Sequence, residues 1–190
     1  FAEYVTVPVS NLLPLPDAVS FEEAAMLEPM AVAVHAMRRV CPSGTDTVAI
    51  CGLGTIGLLL TMFLAEAGVQ NLLLIGNKDF QEQAVKNLGL PDAVYCDSRR
   101  ENVPQWIAEH TNGSGVDVFF ECVGRNETYA LAVQNTAPLG KVLLMGNPFA
   151  DMHLPRDIYW KILRNQLTVT GTWNSTFVQE ADDDWHYVLE

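Results

Sequence analysis

Basic residues and long apolar runs are both scarce in this sequence. Its 190 residues include 11 Lys and Arg against 23 Asp and Glu, which gives a formal net charge of −12. A protein that binds nucleic acid or an anionic membrane surface needs clustered Lys and Arg, so this charge balance argues against both partners. No apolar run reaches the ~18 residues of a membrane span, and no basic-then-apolar signal opens the chain. We therefore expect a cytoplasmic protein whose partners are small molecules.

Paired cysteines are lacking as well. The four cysteines are widely separated and form no CxxC pair: Cys41, Cys51, Cys96 and Cys122. This spacing predicts neither a disulfide framework nor a zinc knot, so buried free thiols are expected.

A GxGxxG motif stands between a strand pattern, Val48–Cys51, and a helix pattern, Ile56–Ala67. In such a motif Gly52 permits the tight turn, Gly54 lets the backbone approach a diphosphate, and Gly57 lets the helix lie close to the sheet. The start of the helix adds free N–H groups and a positive dipole end. The motif predicts dinucleotide binding, with a structural turn or another nucleotide-like ligand as alternatives. The predicted contacts are Gly52, Gly54, Thr55, Ile56 and Gly57.

Strand and helix patterns alternate through the rest of the chain. Runs that are apolar on both faces are typical of a parallel sheet covered by helices, so the fold class is predicted as α/β, a doubly wound (Rossmann) sheet. The predicted strands are Val48–Cys51, Leu72–Ile75, Val94–Cys96, Val116–Cys122, Val142–Met145 and Leu167–Thr172. The predicted helices are Ile56–Ala67, Phe80–Leu88, Val103–His110, Glu127–Gln134 and Ile158–Arg164.

The first forty residues follow a different pattern. Phe1–Val9 has the β-branched and aromatic content of a strand. Ser20 and Glu23 form a capping box that predicts a helix start, and Glu28-Pro29 interrupts that helical pattern before it resumes at Ala31–Val40.

In a doubly wound sheet, ligands bind beyond the carboxyl ends of the strands. After the second strand comes Gly76-Asn77-Lys78, where an acid that binds the ribose 2′-hydroxyl is expected; the acid is missing. Asp79, with Glu82, is interpreted as a helix cap rather than a ribose contact. Lys78 favours NADP(H) modestly over NAD(H), although it can equally be a solvated charge. The later strand ends add Cys122, Val123, Met145, Gly146, Asn147, Thr172 and Trp173 as predicted cofactor contacts.

Several segments together resemble the zinc-dependent medium-chain alcohol and polyol dehydrogenase family, in the sorbitol dehydrogenase branch. They include Phe1-Ala-Glu-Tyr-Val5, Leu27-Glu-Pro29, His35-Ala36, Gly52-Leu-Gly-Thr-Ile-Gly57 and Gly115-Val-Asp-Val-Phe-Phe-Glu-Cys-Val-Gly124. The resemblance implies an NAD(P)-dependent oxidation of a sugar alcohol, or of its phosphate, to the ketose. It also implies a homo-oligomer, either a dimer or a tetramer.

The resemblance further implies how the chain is divided. Residues 1–40 would belong to a GroES-like catalytic domain and its linking helix, 41–175 to the Rossmann domain, and 176–190 to a returning helix. The zinc expected in the intact enzyme would take its main ligands from a stretch before Phe1, so this chain alone is expected to be inactive.

Glu28 is the only charge between Glu23 and Arg38, and a carboxylate in apolar surroundings needs a partner. From the residues alone, a carboxylate that reaches solvent is slightly favoured. By resemblance, Glu28 lies at the catalytic zinc, as a ligand or as the partner of a zinc-bound water. His35 is expected to be a packed helix residue rather than a ligand.

Two other functions use the same glycine turn. One is a non-catalytic module that binds NAD(P) and reports its redox state to a partner. The other is a methyltransferase, which is weaker because the acid expected for its ribose is also missing.

Overall fold

Six parallel strands form the centre of the structure, a computed structural model that describes residues 2–190. The strand order across the sheet is β3-β2-β1-β4-β5-β6, so the chain starts in the middle, fills one half and then crosses to fill the other. This is the doubly wound order, and it confirms the predicted fold class. The strands are β1 (Thr47–Cys51), β2 (Asn71–Gly76), β3 (Ala93–Asp97), β4 (Val116–Glu121), β5 (Thr136–Leu144) and β6 (Thr168–Gly171).

Helices connect the strands and cover both faces of the sheet. After a short 3-10 helix at Val9–Asn11, they are α1 (Phe21–Ala24), α2 (Leu27–Val40), α3 (Thr55–Glu66), α4 (Asp79–Leu88), α5 (Val103–His110), α6 (Asn126–Asn135), α7 (Arg156–Arg164) and α8 (Asp184–Leu189). The capping box before α1 is confirmed: the Ser20 hydroxyl accepts a hydrogen bond from the Glu23 N–H, and the Glu23 carboxylate accepts one from the Ser20 N–H.

Successive residues of the central strands point to opposite faces, and each face has its own buried cluster. Ile50 and Phe120 belong to the cluster that packs beneath α2 and α3, whereas Ala49 and Phe119 belong to the cluster beneath α5 and α6. All four side chains are fully buried. The central strands therefore read as continuous apolar runs because helices cover both faces.

The strand predicted at Phe1–Val9 is wrong for the described residues 2–9, which form no strand. A strand needs a neighbour to satisfy its N–H and C=O groups, and the two edges of the sheet are β3 and β6. The predicted interruption at Glu28-Pro29 is also wrong, because α2 already begins at Leu27. Proline is tolerated in the first turn of a helix, where no intrahelical partner for its missing N–H is required.

The last helix packs against α2. Asp184, at the start of α8, places its carboxylate Oδ2 2.8 Å from Nδ1 of His35 and Oδ1 3.0 Å from a guanidinium nitrogen of Arg38. Its Oδ2 also accepts a hydrogen bond from the Thr176 N–H at 2.7 Å. These bonds fix the segment before α8 against α2. His35 is thus a packed helix residue, as expected.

Within residues 2–190, no helix has both the length and the apolar character that crossing a membrane requires.

Candidate functional site

The GxGxxG motif forms the turn between β1 and α3. Gly52 has φ of 102°, and a Cβ added there would lie 2.7 Å from the Val123 side chain. A Cβ on Gly57 would lie 2.1 Å from the Gly52 carbonyl oxygen, so the helix packs directly on the turn. Both glycines are therefore required by close contacts, as their spacing predicts.

Gly54 differs from these two glycines. A Cβ added to it would meet no atom within 4 Å, so this part of the turn borders open space. Gly54 is also the N-cap of α3, and no side chain caps the helix start. The first N–H groups of α3 are thus available to a ligand. A diphosphate has the charge and the acceptors that such a helix start binds.

Two clefts open on either side of this turn at the carboxyl ends of the strands. The first, of about 460 Å³, lies between the turn, the ends of β5 and β6, and the start of α2. Its lining consists of Glu28, Val32, Gly52, Gly54, Thr55, Ile56, Gly57, Cys122, Met145, Gly146, Asn147, Thr172, Trp173 and Asn174.

The second cleft, of about 530 Å³, lies between the ends of β2 and β4. Both clefts contain Gly52, Gly54 and Cys122, so they meet at the turn. The rest of the second lining consists of Cys51, Ile75, Gly76, Asn77, Lys78, Gln81, Ser98, Val123, Arg125, Glu127, Thr128 and Phe149.

Every residue predicted from the sequence to contact the cofactor or the metal lies in one of these two linings. They come together because the residues that follow parallel strands meet at one edge of the sheet. Their roles toward a ligand stay predictions.

Several residues of the linings were not predicted. Arg125 follows the Gly124 turn after β4, and its guanidinium lies 5.5 Å from the centre of the Phe149 ring. Its place directly beyond a strand end was the available signal. Gln81 is buried, and its side-chain oxygen accepts a hydrogen bond from the Asn77 N–H at 2.9 Å. It therefore shapes the turn after β2, which the sequence spacing alone did not reveal.

The capping role predicted for Asp79 is wrong. Lys78 occupies the N-cap of α4, no side chain caps this helix, and Asp79 instead pairs with Arg99. A hydrogen bond from the Arg99 side chain lowers the pKa of Asp79 below its usual range. The same guanidinium bonds Asp97 and brings the pKa of that carboxyl to about 2. Asp79 and Asp97 are therefore both paired with Arg99.

Burial disfavours the thiolate form of the two cysteines at the strand ends, Cys51 and Cys122. Burial raises the pKa of Cys51 to about 12, and burial also raises the pKa of Cys122 far above its usual range. Because the thiolate is the nucleophilic form, neither cysteine is suited to covalent catalysis at neutral pH. Cys41 differs from the expected buried thiols, since it is exposed at the end of α2.

Glu28 lies at the start of α2 and faces the first cleft. Its side chain is exposed and reaches solvent, the alternative that the residues alone slightly favour. Within residues 2–190, no three His, Cys, Asp or Glu side chains are grouped so that they could hold a metal ion. A tetrahedral zinc site needs three or four protein ligands. The described residues therefore do not make a zinc site, and Glu28 could supply at most one ligand.

Thr172 follows β6 in the wall of the first cleft. Its hydroxyl is the one buried side-chain polar atom without a hydrogen-bond partner among the described residues. A buried hydroxyl without a partner costs stability, and such groups often mark a place that a ligand or water occupies.

The comparisons with known proteins identify the family. A family model described as "Zinc-binding dehydrogenase" matches residues 55–190. The chain belongs to the zinc-binding dehydrogenase family. The match includes α3 and every later strand and helix of the Rossmann sheet. The resemblance stated from the sequence is thus confirmed.

Individual relatives are alcohol and polyol dehydrogenases. L-idonate 5-dehydrogenase of Vitis vinifera is 37% identical over 157 residues, 81% of this chain and 43% of the relative. Galactitol 1-phosphate 5-dehydrogenase of Escherichia coli K12 is 30% identical over 185 residues, 97% of this chain and 53% of the relative. The crystal structure of galactitol-1-phosphate dehydrogenase from Escherichia coli superposes with a TM-score of 0.88 at 28% identity, covering all of this chain and 54% of that one. This chain spans about half the length of the curated relatives it matches.

Proposed function

We propose that this chain is the nicotinamide-dinucleotide-binding portion of a dehydrogenase that oxidises a sugar alcohol, or its phosphate, to a ketose. The observation that carries the proposal is the pair of clefts that meet at the Gly52–Gly57 turn. A dinucleotide consists of two nucleosides joined by a diphosphate. Each of the two clefts has room for one nucleoside, and the uncapped start of α3, where the clefts meet, would bind the diphosphate.

We propose an orientation of the cofactor from the residues that line the two clefts. The second cleft is lined by two cationic side chains, Lys78 and Arg125, and by one carboxylate, Glu127. Asp79 and Asp97 lie outside this lining, and both are paired with Arg99. We assign the adenosine half to this cleft, where a 2′-phosphate would meet positive charge. This supports a modest preference for NADP(H) over NAD(H). Lys78 is exposed and takes part in none of the ion pairs found within residues 2–190.

The nicotinamide half is assigned to the first cleft. There the ring would lie between the ends of β5 and β6 and the start of α2, near Glu28 and Thr172. A nicotinamide held there would supply the hydride acceptor for oxidation of the alcohol carbon. The chain's own residues would hold the ring, bind the diphosphate and exclude water from one side of it. Glu28 is proposed to face the reacting alcohol, and zinc ligands beyond it would have to come from outside the described residues.

The relatives support the substrate class. Those reported above are named for idonate and galactitol 1-phosphate, and a third, from Bacillus subtilis, is named for (R,R)-butanediol. A pair of hydroxyl groups on adjacent carbons is common to these compounds. We infer that a small polyhydroxy alcohol is the substrate, and that the intact enzyme assembles as a dimer or tetramer.

Gly54→Ala tests the proposal directly. The new methyl group meets no atom in the free chain, so the fold should persist, but it would occupy the space assigned to the diphosphate. Calorimetric titration with NADH and NADPH should show binding to the wild-type chain and at least a tenfold weaker Kd for the variant.

Gly171→Ala is the matched control. A Cβ at Gly171 also meets no atom within 4 Å, yet Gly171 lies in β6 outside both linings. Its Kd should equal that of the wild type. Absence of binding to the folded wild-type chain, or equal affinities for Gly54→Ala and wild type, would refute the proposal.

A further inference from the structure

Glu121 is a buried carboxylate at the last position of β4, and only 2% of its surface is exposed. Its Oε1 accepts hydrogen bonds from the N–H groups of Val123 and Gly124, each at 2.9 Å. Its Oε2 accepts a second bond from the Gly124 N–H at 3.1 Å. Both oxygens act as acceptors, which is the pattern of an ionised carboxylate. None of the ion pairs found within residues 2–190 includes Glu121.

The position of this charge is central to both clefts. Val123, which donates to the carboxylate, lines the second cleft, and the intervening Cys122 lines both. The main-chain oxygen of Glu121 accepts hydrogen bonds from the N–H groups of Met145 and Gly146, each at 2.9 Å, and these two residues line the first cleft. Glu121 therefore lies directly beneath the strand-end turns that form the walls.

The negative charge of Glu121 affects ionisable groups in the walls of the clefts. After burial, the Glu121 carboxylate is the next largest cause that raises the pKa of Cys51, and it also contributes to the raised pKa of Cys122 after burial and Cys51. A buried anion without a cationic partner disfavours negative charge nearby and favours positive charge. Because only 2% of the Glu121 surface is exposed, water screens this charge less than it would screen a surface carboxylate.

We propose that the charge of Glu121 raises the site's affinity for the oxidised, cationic nicotinamide ring relative to its affinity for the reduced, neutral ring. This inference rests on the proposed function. The two forms of the cofactor have the same adenosine and the same diphosphate, and they differ by one positive charge on the ring. A fixed anion beneath the first cleft therefore acts on the difference between them. For a separation on the order of 10 Å and an effective dielectric of ~20, the attraction corresponds to about a tenfold ratio of affinities.

This role differs from that of a residue that only supports a turn. Loss of turn support weakens both forms of the cofactor by the same factor, because the diphosphate and adenosine contacts are common to both. Loss of charge weakens the oxidised form alone. The ratio of the two dissociation constants separates these effects even where the variant is less stable.

The test uses Glu121→Gln, which keeps the length of the side chain and an oxygen acceptor but removes the charge. Dissociation constants would be measured by calorimetry for NAD⁺, NADH and ADP-ribose, or for NADP⁺ and NADPH if the wild-type chain binds those more tightly. ADP-ribose lacks the nicotinamide ring and reports changes at the diphosphate. We expect the Kd of the oxidised cofactor to rise about tenfold more than the Kd values of the reduced cofactor and of ADP-ribose.

Glu121→Asp and Glu121→Asn provide a second comparison, because the two new side chains have the same length and only Asp is charged. This pair keeps the test decisive if Glu121→Gln does not fold. The Asp variant should keep the wild-type ratio, and the Asn variant should lose it. Equal changes for oxidised and reduced cofactor in the uncharged variants would overturn this inference and leave the proposed function intact. Failure of the wild-type chain to bind either form would overturn both.

Discussion

Removal of the Asp184 carboxylate should destabilise the fold more than any exposed acidic substitution. This carboxylate is 3% exposed and contacts His35 and Arg38 on α2, together with the Thr176 N–H. Removing one partner of a buried ion pair typically costs ~3–5 kcal/mol, since the remaining groups lose their compensation. The His35 and Arg38 side chains are 22% and 34% exposed, so water recovers part of this loss. We expect Asp184→Ala to lower the free energy of unfolding by about 2–3 kcal/mol.

The assay is urea unfolding followed by far-ultraviolet circular dichroism. For a chain of this size, a loss of that magnitude lowers Tm by roughly 5–10 °C. Asp182→Ala is the matched control, because Asp182 is an exposed acid two residues away. Its main-chain oxygen accepts from Arg38, and that bond survives the substitution. If the two variants unfold at the same urea concentration, Asp184 does not hold α8 and its preceding segment against α2, and the reasoning fails.

Three further predictions concern pH, an unpartnered hydroxyl and cofactor choice. Burial alone would raise the pKa of Asp183, but hydrogen bonds from His186 and Val178 bring this pKa to about 2, below its unfolded value. The stability that the ionised carboxylate contributes is therefore present above pH ~4 and is lost as the pH falls toward 2. Asp183→Asn should therefore flatten the unfolding free energy between those pH values in acid titrations followed by fluorescence, and an unchanged slope would count against it. Thr172→Val should raise the free energy of unfolding of the unliganded chain by about 1 kcal/mol, whereas Thr172→Ser should not; a loss of stability in the Val variant would show that the hydroxyl has a partner. Lys78→Ala should weaken NADPH binding several-fold and leave NADH unchanged, while Lys86→Ala, whose lysine pairs with Glu82, should alter neither; equal NADPH affinity for Lys78→Ala and wild type would remove the charge argument for NADP(H).

The central elements could be predicted because each has a strong local pattern. In the strand Val48–Cys51 and the helix Val103–His110, the apolar residues have the spacing typical of a buried strand and of a helix packed on one face. The structure places both elements within one residue of the predicted bounds. The beginning of β5 had no such pattern. It starts at Thr136, six residues before the predicted Val142, and includes Pro138 and Gly140. A shift of register between β4 and β5 accommodates that irregular start.

The site could be predicted where it depends on chain order, and not where it depends on distant partners. Residues that follow a strand were found because parallel strands end at one edge of the sheet. Asp79 has the spacing of a helix cap, but Arg99, twenty residues later, bonds its carboxylate. Local spacing cannot show such a partner. The buried position of Glu121 and the contact between Arg125 and Phe149 likewise depend on how the turns pack.

The most direct measurement of the central claim is an amide NMR titration of the isotope-labelled chain with NADH. If the diphosphate binds at the uncapped start of α3, the N–H resonances of Thr55, Ile56 and Gly57 should show the largest shifts. The resonance of Gly113, which precedes β4 at the opposite end of the sheet and lines neither cleft, should stay in place. The account would be contradicted if these three amide resonances did not change while amides elsewhere on the chain shifted and showed saturable NADH binding.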